Sequence, residues 1–321
     1  MPATEERYCM TDFSGNVREL FDSQFREWKL ARDNYNQIDE VKVRTVPFPG
    51  YDISVQFNPG RITSSAAKVD SKSIEARPCF LCERNRPPEQ KGLPFGDDYV
   101  ILINPFPIFR RHLTIVSCCH TPQRIAGNFG TMLSLAQSLP DYVMFYNGPQ
   151  CGASAPDHLH FQAGNRGFLP IEKDSGNSEL CSMVAGSGDM GLWLWIGYGR
   201  GIMTLRGNNS KTLETAFGKF YDRFFLLQPD RPEPMLNILA YCDEGEWTVH
   251  VIPRRVHRPS CYFAEGEERI LLSPASVDLG GVFITPRGED FGKITAGDIS
   301  AILNEVCLGE DELKTLINDI L

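Results

Sequence analysis

The sequence lacks an excess of positive charge. Of its 321 residues, 32 are lysine or arginine and 41 are aspartate or glutamate, which gives a formal net charge of −9. A general nucleic-acid or membrane-surface binder needs a basic field that attracts phosphate groups. We therefore expect neither nucleic acid nor membrane among the partners, whereas a local basic pocket for a phosphate stays open.

Long hydrophobic runs are also missing. The longest apolar stretch, residues 99–109, is interrupted by Asn104, Pro105 and Pro107, and it falls short of the ~20 residues of a membrane span. The first residues show no basic segment followed by an apolar one, so we expect no secretory signal and a cytoplasmic, reducing location. The ten cysteines are then expected to be buried thiols, with a few metal ligands, and not a disulfide framework.

No low-complexity or linker-like tract divides the chain. At about 150 residues per domain, the length suggests roughly two domains. We predict an N-terminal helical segment over residues 1–44, a first half over 45–175 and a second half with C-terminal helices over 176–321. Because no linker separates the halves, we expect them to pack as one body.

Two stretches of the sequence show the same order of elements. The hydropathy pattern of the first predicts strands at 98–104 and 112–117, a helix at 121–138, and strands at 142–147 and 158–163. The second predicts strands at 192–197 and 201–205, a helix at 210–227, and strands at 236–242 and 247–252. We therefore predict an α+β fold of two similar halves, each an antiparallel sheet with packed helices. The alternative is that such an order arises by chance in an α+β chain.

Histidines are few, and two of the six lie in one short motif, DHLHFQ (157–162). If this motif is a strand, His158, His160 and Gln162 share one face, because alternate side chains of a strand point the same way. Three polar side chains on one face are costly to bury unless they have partners. The motif is thus a candidate site, although a solvent-exposed strand face explains it equally well at this point.

A loop of small residues, NGPQCGASAP (147–156), precedes the motif. Small side chains let backbone N–H groups approach a ligand closely, as phosphate binding requires. A histidine pair opposite such a loop favours nucleophilic attack on phosphorus.

Cys79 and Cys82 form a CFLC sequence. A single CxxC is a weak metal signal, and the redox interpretation needs a strand-to-helix context that the neighbouring prolines do not supply. Two more ligands would complete a tetrahedral zinc site, and His120 and His158 lie at the ends of predicted elements. Two reduced structural cysteines remain the alternative.

Together, CFLC, His120 and NGPQCGASAPDHLHFQ resemble the histidine-triad (HIT-like) superfamily. The similarity is to the branch of galactose-1-phosphate uridylyltransferases, GDP-galactose phosphorylases and diadenosine tetraphosphate phosphorylases. It covers about residues 55–175, and Asn147 lies 11 residues before His158, as in that branch. The whole chain also resembles a bacterial group of this branch. The resemblance implies two HIT-like halves, of which the second matches by element order alone.

The resemblance also implies a role for individual residues. His160 resembles the nucleophile that forms a nucleotidyl-histidine intermediate, and Gln162 resembles the residue that hydrogen-bonds the phosphate. Asn147 and Ser154 resemble phosphate-contacting positions. The implied ligands of a structural zinc ion are Cys79, Cys82, His120 and His158. Two further substrate-binding candidates come from the residues themselves: Gly152 of the small-residue loop and Arg61 upstream.

Other basic residues are candidates for a distal phosphate or an acceptor. They are Lys68, Arg110, Arg111 and the cluster in VIPRRVHRP (251–259), with solvated turn charges as the alternative. We expect His112 to be a hydrogen-bonded structural histidine. The strand that carries His250 has no partner His or Gln two residues on, so we expect the second half to lack a nucleophile.

The glutamine at position 162 bears on the reaction. A histidine there could give a proton to a poor leaving group, whereas Gln162 can only donate a hydrogen bond as charge develops on the phosphate. We therefore predict a nucleotidyltransferase that phosphorolyses a nucleoside diphosphate sugar or a dinucleoside polyphosphate with inorganic phosphate. The alternatives are a uridylyltransferase-like exchange with a sugar phosphate, a nucleotide hydrolase, and a non-catalytic nucleotide or metal sensor. A homodimer is also expected from the resemblance.

Overall fold

The computed structural model describes residues 13–62 and 70–318, so Lys68 lies outside the described residues. The α-helices there are α1 (Ser14–Glu27), α2 (Lys29–Asn36), α3 (Ser71–Glu75), α4 (Phe129–Ser138), α5 (Pro170–Asp174), α6 (Ser210–Leu226), α7 (Ser260–Phe263), α8 (Ser276–Leu279), α9 (Gly288–Lys293), α10 (Ala296–Val306) and α11 (Glu310–Asn318). Among these helices, none combines the length and the apolar composition that crossing a membrane requires.

Thirteen strands are described. They are β1 (Lys42–Phe48), β2 (Tyr51–Phe57), β3 (Gly92–Phe95), β4 (Tyr99–Ile103), β5 (His112–Ser117), β6 (Tyr142–Asn147), β7 (His160–Asn165), β8 (Cys181–Ser187), β9 (Met190–Trp195), β10 (Met203–Gly207), β11 (Leu236–Asp243), β12 (Glu246–Pro253) and β13 (Val282–Thr285). Ten of them form one sheet in the order β3-β4-β5-β7-β6-β11-β12-β10-β9-β8, and the other three form a small sheet in the order β1-β2-β13.

The large sheet consists of two similar five-stranded halves. In the first half, α4 lies between β5 and β6 in the chain, and in the second half α6 lies between β10 and β11. All pairs in this sheet are antiparallel, and the halves meet edge to edge where β6 pairs with β11. The predicted α+β fold of two antiparallel halves is therefore confirmed, with the two halves fused into one continuous sheet.

The strand register shows which residues of the two halves correspond. Phe145 of β6 pairs with Leu239 of β11 at the centre of the sheet. On either side, Phe145 pairs with Gln162 and Leu239 pairs with His250. Gln162 and His250 thus occupy corresponding positions, and two residues earlier in each strand His160 corresponds to Thr248, which offers no imidazole.

Each face of the large sheet has its own core. One face packs against helices, with Phe161 and Ala163 of β7 in the same cluster as apolar side chains of α1, α4 and α6. The other face packs against the small sheet and α10. Because side chains alternate along a strand, His160 and Gln162 point to the face that the small sheet covers.

Two predicted boundaries are wrong, for related reasons. The helix expected from Thr121 begins only at Phe129, because the backbone before it bonds elsewhere: Gln123 N–H donates to Pro156 O at 3.0 Å, and Leu159 N–H donates to Thr121 O at 2.7 Å. The strand expected from His158 begins at His160.

His158 instead lies at the end of a turn, where its N–H donates to the carbonyl of Ala155 at 3.2 Å. The expected alignment of His158, His160 and Gln162 along one strand face therefore holds only for His160 and Gln162.

Candidate functional site

The candidate site centres on His160, the first residue of β7. Its side chain is 4% exposed, and its Nδ1 lies 2.8 Å from the carbonyl oxygen of His158. A carbonyl oxygen can only accept a hydrogen bond, so Nδ1 carries the proton. Burial lowers the pKa of His160 to about 4, which keeps the ring neutral and leaves a lone pair on Nε2. A neutral imidazole in this tautomer is a competent nucleophile.

Gln123 holds the backbone of His160 in place. The Gln123 side chain accepts a hydrogen bond from His160 N–H at 2.8 Å and donates to the carbonyl oxygens of His160 and Asn147, both at 3.0 Å. One buried amide therefore connects the end of β6 to the start of β7. The sequence shows no signal for this role, because Gln123 lies in a stretch with a helical pattern.

A second chain of hydrogen bonds fixes Gln162. Ile108 N–H donates to His112 Nδ1 at 3.2 Å, so the proton of the neutral ring is on Nε2. His112 Nε2 then donates to Gln162 Oε1 at 3.0 Å. The Gln162 carbonyl is used by this contact, and its NH₂ group is presented as a donor. His112 is fully buried, and burial together with the charge of Arg61 lowers its pKa to about 3.

Asn147, the last residue of β6, is oriented in the same manner. Its Oδ1 accepts hydrogen bonds from Asn237 Nδ2, from Ser276 N–H and from Ser276 Oγ, all at 2.8 Å. These donors occupy the oxygen, so the amide orientation is determined and Nδ2 is the group left for other contacts. Asn237 and Ser276 belong to the second half of the chain, which the motif analysis did not connect with the site.

Gly152 and Ser154 lie in the loop between β6 and β7. The φ of Gly152 is +97°, and a Cβ there would meet the Cβ of Ala275 at 2.6 Å. Only glycine fits this close approach without strain. Ser154 accepts a hydrogen bond through its backbone oxygen from Arg77 Nη2 at 3.1 Å, and the same guanidinium pairs with Asp157 at 3.2 Å.

Arg61 lies on the His112 side of the site. It ends a short 3₁₀ turn, Pro59–Arg61, and donates from Nη1 to the carbonyl of Phe106 at 2.9 Å. Desolvation lowers the pKa of Arg61 to about 10, against the opposing effect of Asp278. Since its charge also acts on His112, Arg61 lies near the pair that orients Gln162.

The four cysteine and histidine candidates come together in one cluster. The ligand atoms of Cys79, Cys82, His120 and His158 all lie within 4.8 Å of one another. His120 Nδ1 is 3.2 Å from Cys82 Sγ and 3.3 Å from His158 Nδ1, and Cys79 Sγ is 3.3 Å from His158 Nδ1. Ligands of a tetrahedral zinc ion would be about 3.3–3.8 Å apart. This cluster could therefore hold a metal ion.

Acceptor oxygens lie behind both imidazoles of the cluster. His158 Nε2 donates to the carbonyl of Ser117 at 2.8 Å, so Nδ1 has its lone pair directed at the cysteines. His120 Nε2 lies 3.8 Å from a carboxylate oxygen of Asp157. Hydrogen-bond acceptors behind the histidines are typical of metal sites.

Arg110 and Arg111 lie apart from the motif. Arg110 pairs with Asp39 at 2.8 Å, and both residues are exposed. Arg110 and Arg111 instead line a cavity of about 540 Å³ that also contains Tyr142 and Asn165, at the opposite ends of β6 and β7 from Asn147 and His160.

The two neighbouring arginines of the 251–259 cluster lie in different environments. Arg255 bonds to the carbonyl of Cys307 and to Glu312. Arg254 is fully buried and donates to the carbonyl of Pro274, whose oxygen would lie 3.5 Å from a Cβ on Gly152.

These features define a fused pair of similar antiparallel halves with a single His-x-His-x-Gln motif. Comparison with solved structures confirms the fold. The structure of yeast Ap4A phosphorylase Apa2 in complex with Ap4A matches with a TM-score of 0.64 and 16% identity, over 92% of this chain and 98% of that chain. The complex of Apa2 with AMP matches with a TM-score of 0.60 and 16% identity, over 92% of this chain and 97% of that chain. A third structure of Apa2 has the same TM-score and identity, over 88% of this chain and 97% of that chain.

The sequence comparisons are more limited. Residues 20–165 match the model of a domain of unknown function, DUF4922. The sequence matches no curated protein. The chain thus has the fold of Apa2, in agreement with the resemblance that the motifs show.

Proposed function

We propose that this protein is a nucleotidyltransferase that works through a nucleotidyl-histidine intermediate on His160, with phosphorolysis of a nucleoside diphosphate sugar or a dinucleoside polyphosphate as its reaction. The observation that carries the proposal is the Nδ1–H contact of His160 to the carbonyl of His158 at 2.8 Å. It fixes the tautomer that a nucleophilic Nε2 requires. The fold likeness to a phosphorylase solved with Ap4A and with AMP supports this choice.

The reaction consists of two displacements at one phosphorus atom. The lone pair of His160 Nε2 forms a bond to the α-phosphorus, and the bond from phosphorus to the bridging oxygen breaks, so that its electron pair leaves with the distal phosphate. An oxygen of inorganic phosphate then attacks the same phosphorus, and the P–N bond returns its pair to Nε2. The transferred nucleotidyl group and inorganic phosphate form a nucleoside diphosphate. The other product is the leaving group of the first step, which is a sugar phosphate from a nucleoside diphosphate sugar or a nucleoside triphosphate from diadenosine tetraphosphate.

The amides of Gln162 and Asn147 suit the charge that develops in both steps. Each presents an NH₂ group, because its oxygen is already bonded within the protein. Preoriented donors stabilise charge on phosphate oxygens without having to reorganise. Neither amide can transfer a proton, which fits phosphate leaving groups and acceptors that need little protonation.

The cysteine–histidine cluster fits a structural zinc ion. Two thiols and two imidazoles are a donor set that zinc prefers, and Cys79, Cys82, His120 and His158 would hold it. A bound zinc ion would cross-link the CFLC segment to the turn before β7. Since the carbonyl of His158 orients His160, this cross-link would stabilise the position of the nucleophile.

The test is to trap the intermediate. The protein is incubated with Ap4A and with ADP-, GDP- and UDP-sugars that carry ³²P at the α-phosphate, then denatured and analysed for acid-labile label on protein. We expect label on the unaltered chain with at least one donor, and none with His160→Ala. His250→Ala is the matched control, because it removes a buried histidine from the other half.

Two results would contradict the proposal. Label that persists in His160→Ala would exclude this residue as the nucleophile, and failure of every donor to label the folded, unaltered chain would favour a nucleotide sensor. Product analysis with and without phosphate identifies the acceptor. Nucleoside monophosphate that forms at the same rate without phosphate would identify a hydrolase.

A further inference from the structure

Arg254, at the end of β12, is a buried cation without an acidic partner in its hydrogen bonds. It is 0% exposed. Its guanidinium donates to Asn237 Oδ1 at 3.0 Å and to the backbone carbonyls of Pro274, Val256 and His257 at 2.6–3.1 Å. Within the described part of the chain no ion pair forms, and its buried Nε has no hydrogen-bond partner. A buried charge is costly unless it is paired, so this arginine requires an explanation.

Asn237 connects this charge to the candidate site. Its Oδ1 accepts from Arg254, which leaves Nδ2 to donate to Asn147 Oδ1 and to the carbonyl of Cys151, both at 2.8 Å. Arg254, Asn237 and Asn147 are 0%, 0% and 5% exposed. A continuous buried chain of hydrogen bonds therefore runs from the second half to the last residue of β6.

The donor-to-acceptor direction of these hydrogen bonds determines which end of the Asn147 amide faces the site. A guanidinium can only donate, so Asn237 must turn its oxygen to Arg254 and its NH₂ to Asn147. Asn147 must in turn place its oxygen against Asn237. The result is that the NH₂ of Asn147 is the end available to a ligand.

We propose that Arg254 and Asn237 are positioning residues for phosphate recognition: Arg254 sets the polarity of the Asn237–Asn147 amide pair and places a positive charge beneath the loop that contains Gly152. This inference rests on the proposed function, since it assigns the substrate's α-phosphate to the NH₂ of Asn147. In this arrangement the second half, which has no counterpart of His160, determines which end of the Asn147 amide faces the phosphate.

A second observation supports the electrostatic part. Burial raises the pKa of Cys151, which is next to Gly152 in the loop, to about 12, and the charge of Arg254 acts against that rise. The field of Arg254 therefore reaches the loop. In a buried site this field is weakly screened by solvent and would attract a phosphate dianion.

The test separates phosphate recognition from stability by comparing ligands with and without a phosphate. Calorimetry measures the binding of three pairs to the unaltered chain: AMP and adenosine, GMP and guanosine, and UMP and uridine. The pair whose monophosphate binds most tightly is then used for all variants. We expect Asn237→Asp and Arg254→Met to weaken monophosphate binding about 10-fold or more, since two phosphate interactions are disturbed. Binding of the matching nucleoside should change less than about 2-fold.

Arg200→Met is the matched control. Arg200 is 1% exposed and, like Arg254, donates to backbone carbonyls, those of Leu279 and Tyr198. Among the described residues, however, it makes no hydrogen bond to Asn237 or Asn147. We expect this variant to lower the melting temperature as Arg254→Met does and to leave the preference for monophosphate over nucleoside unchanged.

The outcomes distinguish this inference from the proposed function. If the unaltered chain forms the His160 adduct but Asn237→Asp and Arg254→Met keep the full monophosphate preference, the positioning role is wrong and the proposed function stands. Equal loss of that preference in Arg200→Met would also overturn it, because general destabilisation then explains the effect. A missing adduct in the unaltered chain counts against the proposed function by its own test.

Discussion

At the scale of single residues, the site depends on which end of each planar side chain already makes a hydrogen bond within the protein. His160 gives its Nδ1–H to a carbonyl, and Gln162 and Asn147 each turn an oxygen inward. Each orientation depends on a buried neighbour with a single permitted role, either an N–H group that must donate or a carbonyl that must accept. These contacts leave Nε2 of His160 and the NH₂ groups of Gln162 and Asn147 available for a ligand.

His112 allows a direct test of this principle. His112→Leu removes the donor to Gln162 Oε1, so the amide can rotate, and we expect formation of the labelled enzyme to slow about 10-fold, less than the 10²–10³ seen when a charge-stabilising donor is itself removed. Single-turnover kinetics at saturating donor measure this rate. His250→Leu removes a comparably buried histidine and should leave it unchanged. Equal slowing in both variants would show that packing, and not orientation, is responsible.

At the scale of elements, the start of β7 connects the cysteine–histidine cluster to His160. The turn before this strand directs the ring of His158 at Cys79 and its carbonyl at His160. One residue thus belongs to both sites, through different groups. A change in the CFLC segment is therefore expected to alter the position of the His160 ring.

The metal content checks this connection. Cys82→Ser removes a thiolate ligand, and we expect zinc to fall from about one equivalent per chain to a small fraction, because a cluster of three ligands binds zinc much more weakly. Elemental analysis of protein purified without chelator measures it. Cys118→Ser is the control, since Cys118 is exposed and outside the cluster. Absence of zinc from the unaltered chain would contradict the four-ligand assignment.

At the scale of the whole molecule, the two halves are joined by more than the β6–β11 pairing. Glu233, just before β11, is 2% exposed. It accepts hydrogen bonds from Tyr146 Oη and from Ile125 N–H, both in the first half. Burial raises its pKa to about 7, although both hydrogen bonds act to lower it. A carboxyl group that favours its protonated form therefore lies between the halves.

This carboxyl group predicts a pH dependence of stability. The pKa of Glu233 is about 7 in the folded chain and ~4.3 for an unfolded glutamate. The stabilisation that its protonated carboxyl contributes is therefore complete below the unfolded pKa and is lost as the pH rises through the folded pKa. Glu233→Gln removes the titration. We expect the free energy of unfolding of the variant to exceed that of the unaltered chain at pH 8 by up to about 3 kcal/mol, and to match it near pH 4.5.

Urea unfolding at several pH values measures this difference. The exposed Glu246→Gln is the control for loss of a carboxyl group outside the core. A Glu233→Gln difference that is constant between pH 4.5 and 8 would show that Glu233 does not titrate in this window.

The local sequence was sufficient for most elements. Strands β5 and β6 and the repeated order of elements follow from the hydropathy pattern, which depends only on neighbouring residues. The helix predicted from Thr121 fails because Gln123 and the backbone around it bond to residues 147–160, a use that no local pattern reports. His158 fails as a strand residue for a related reason, since its backbone N–H closes a turn with Ala155 and its Nδ1 faces the cysteine segment.

What the sequence determined by itself is the set of chemical groups: the CFLC pair, the small-residue loop and the His-x-His-x-Gln motif, because their residue types and spacing are local properties. Only the tertiary structure decided how those groups are oriented. His112, Asn237 and Arg254 lie 35 or more residues from the motif in the chain, and they act through hydrogen bonds whose direction depends on three-dimensional contact. The tautomers and amide orientations of the site are therefore properties of the fold.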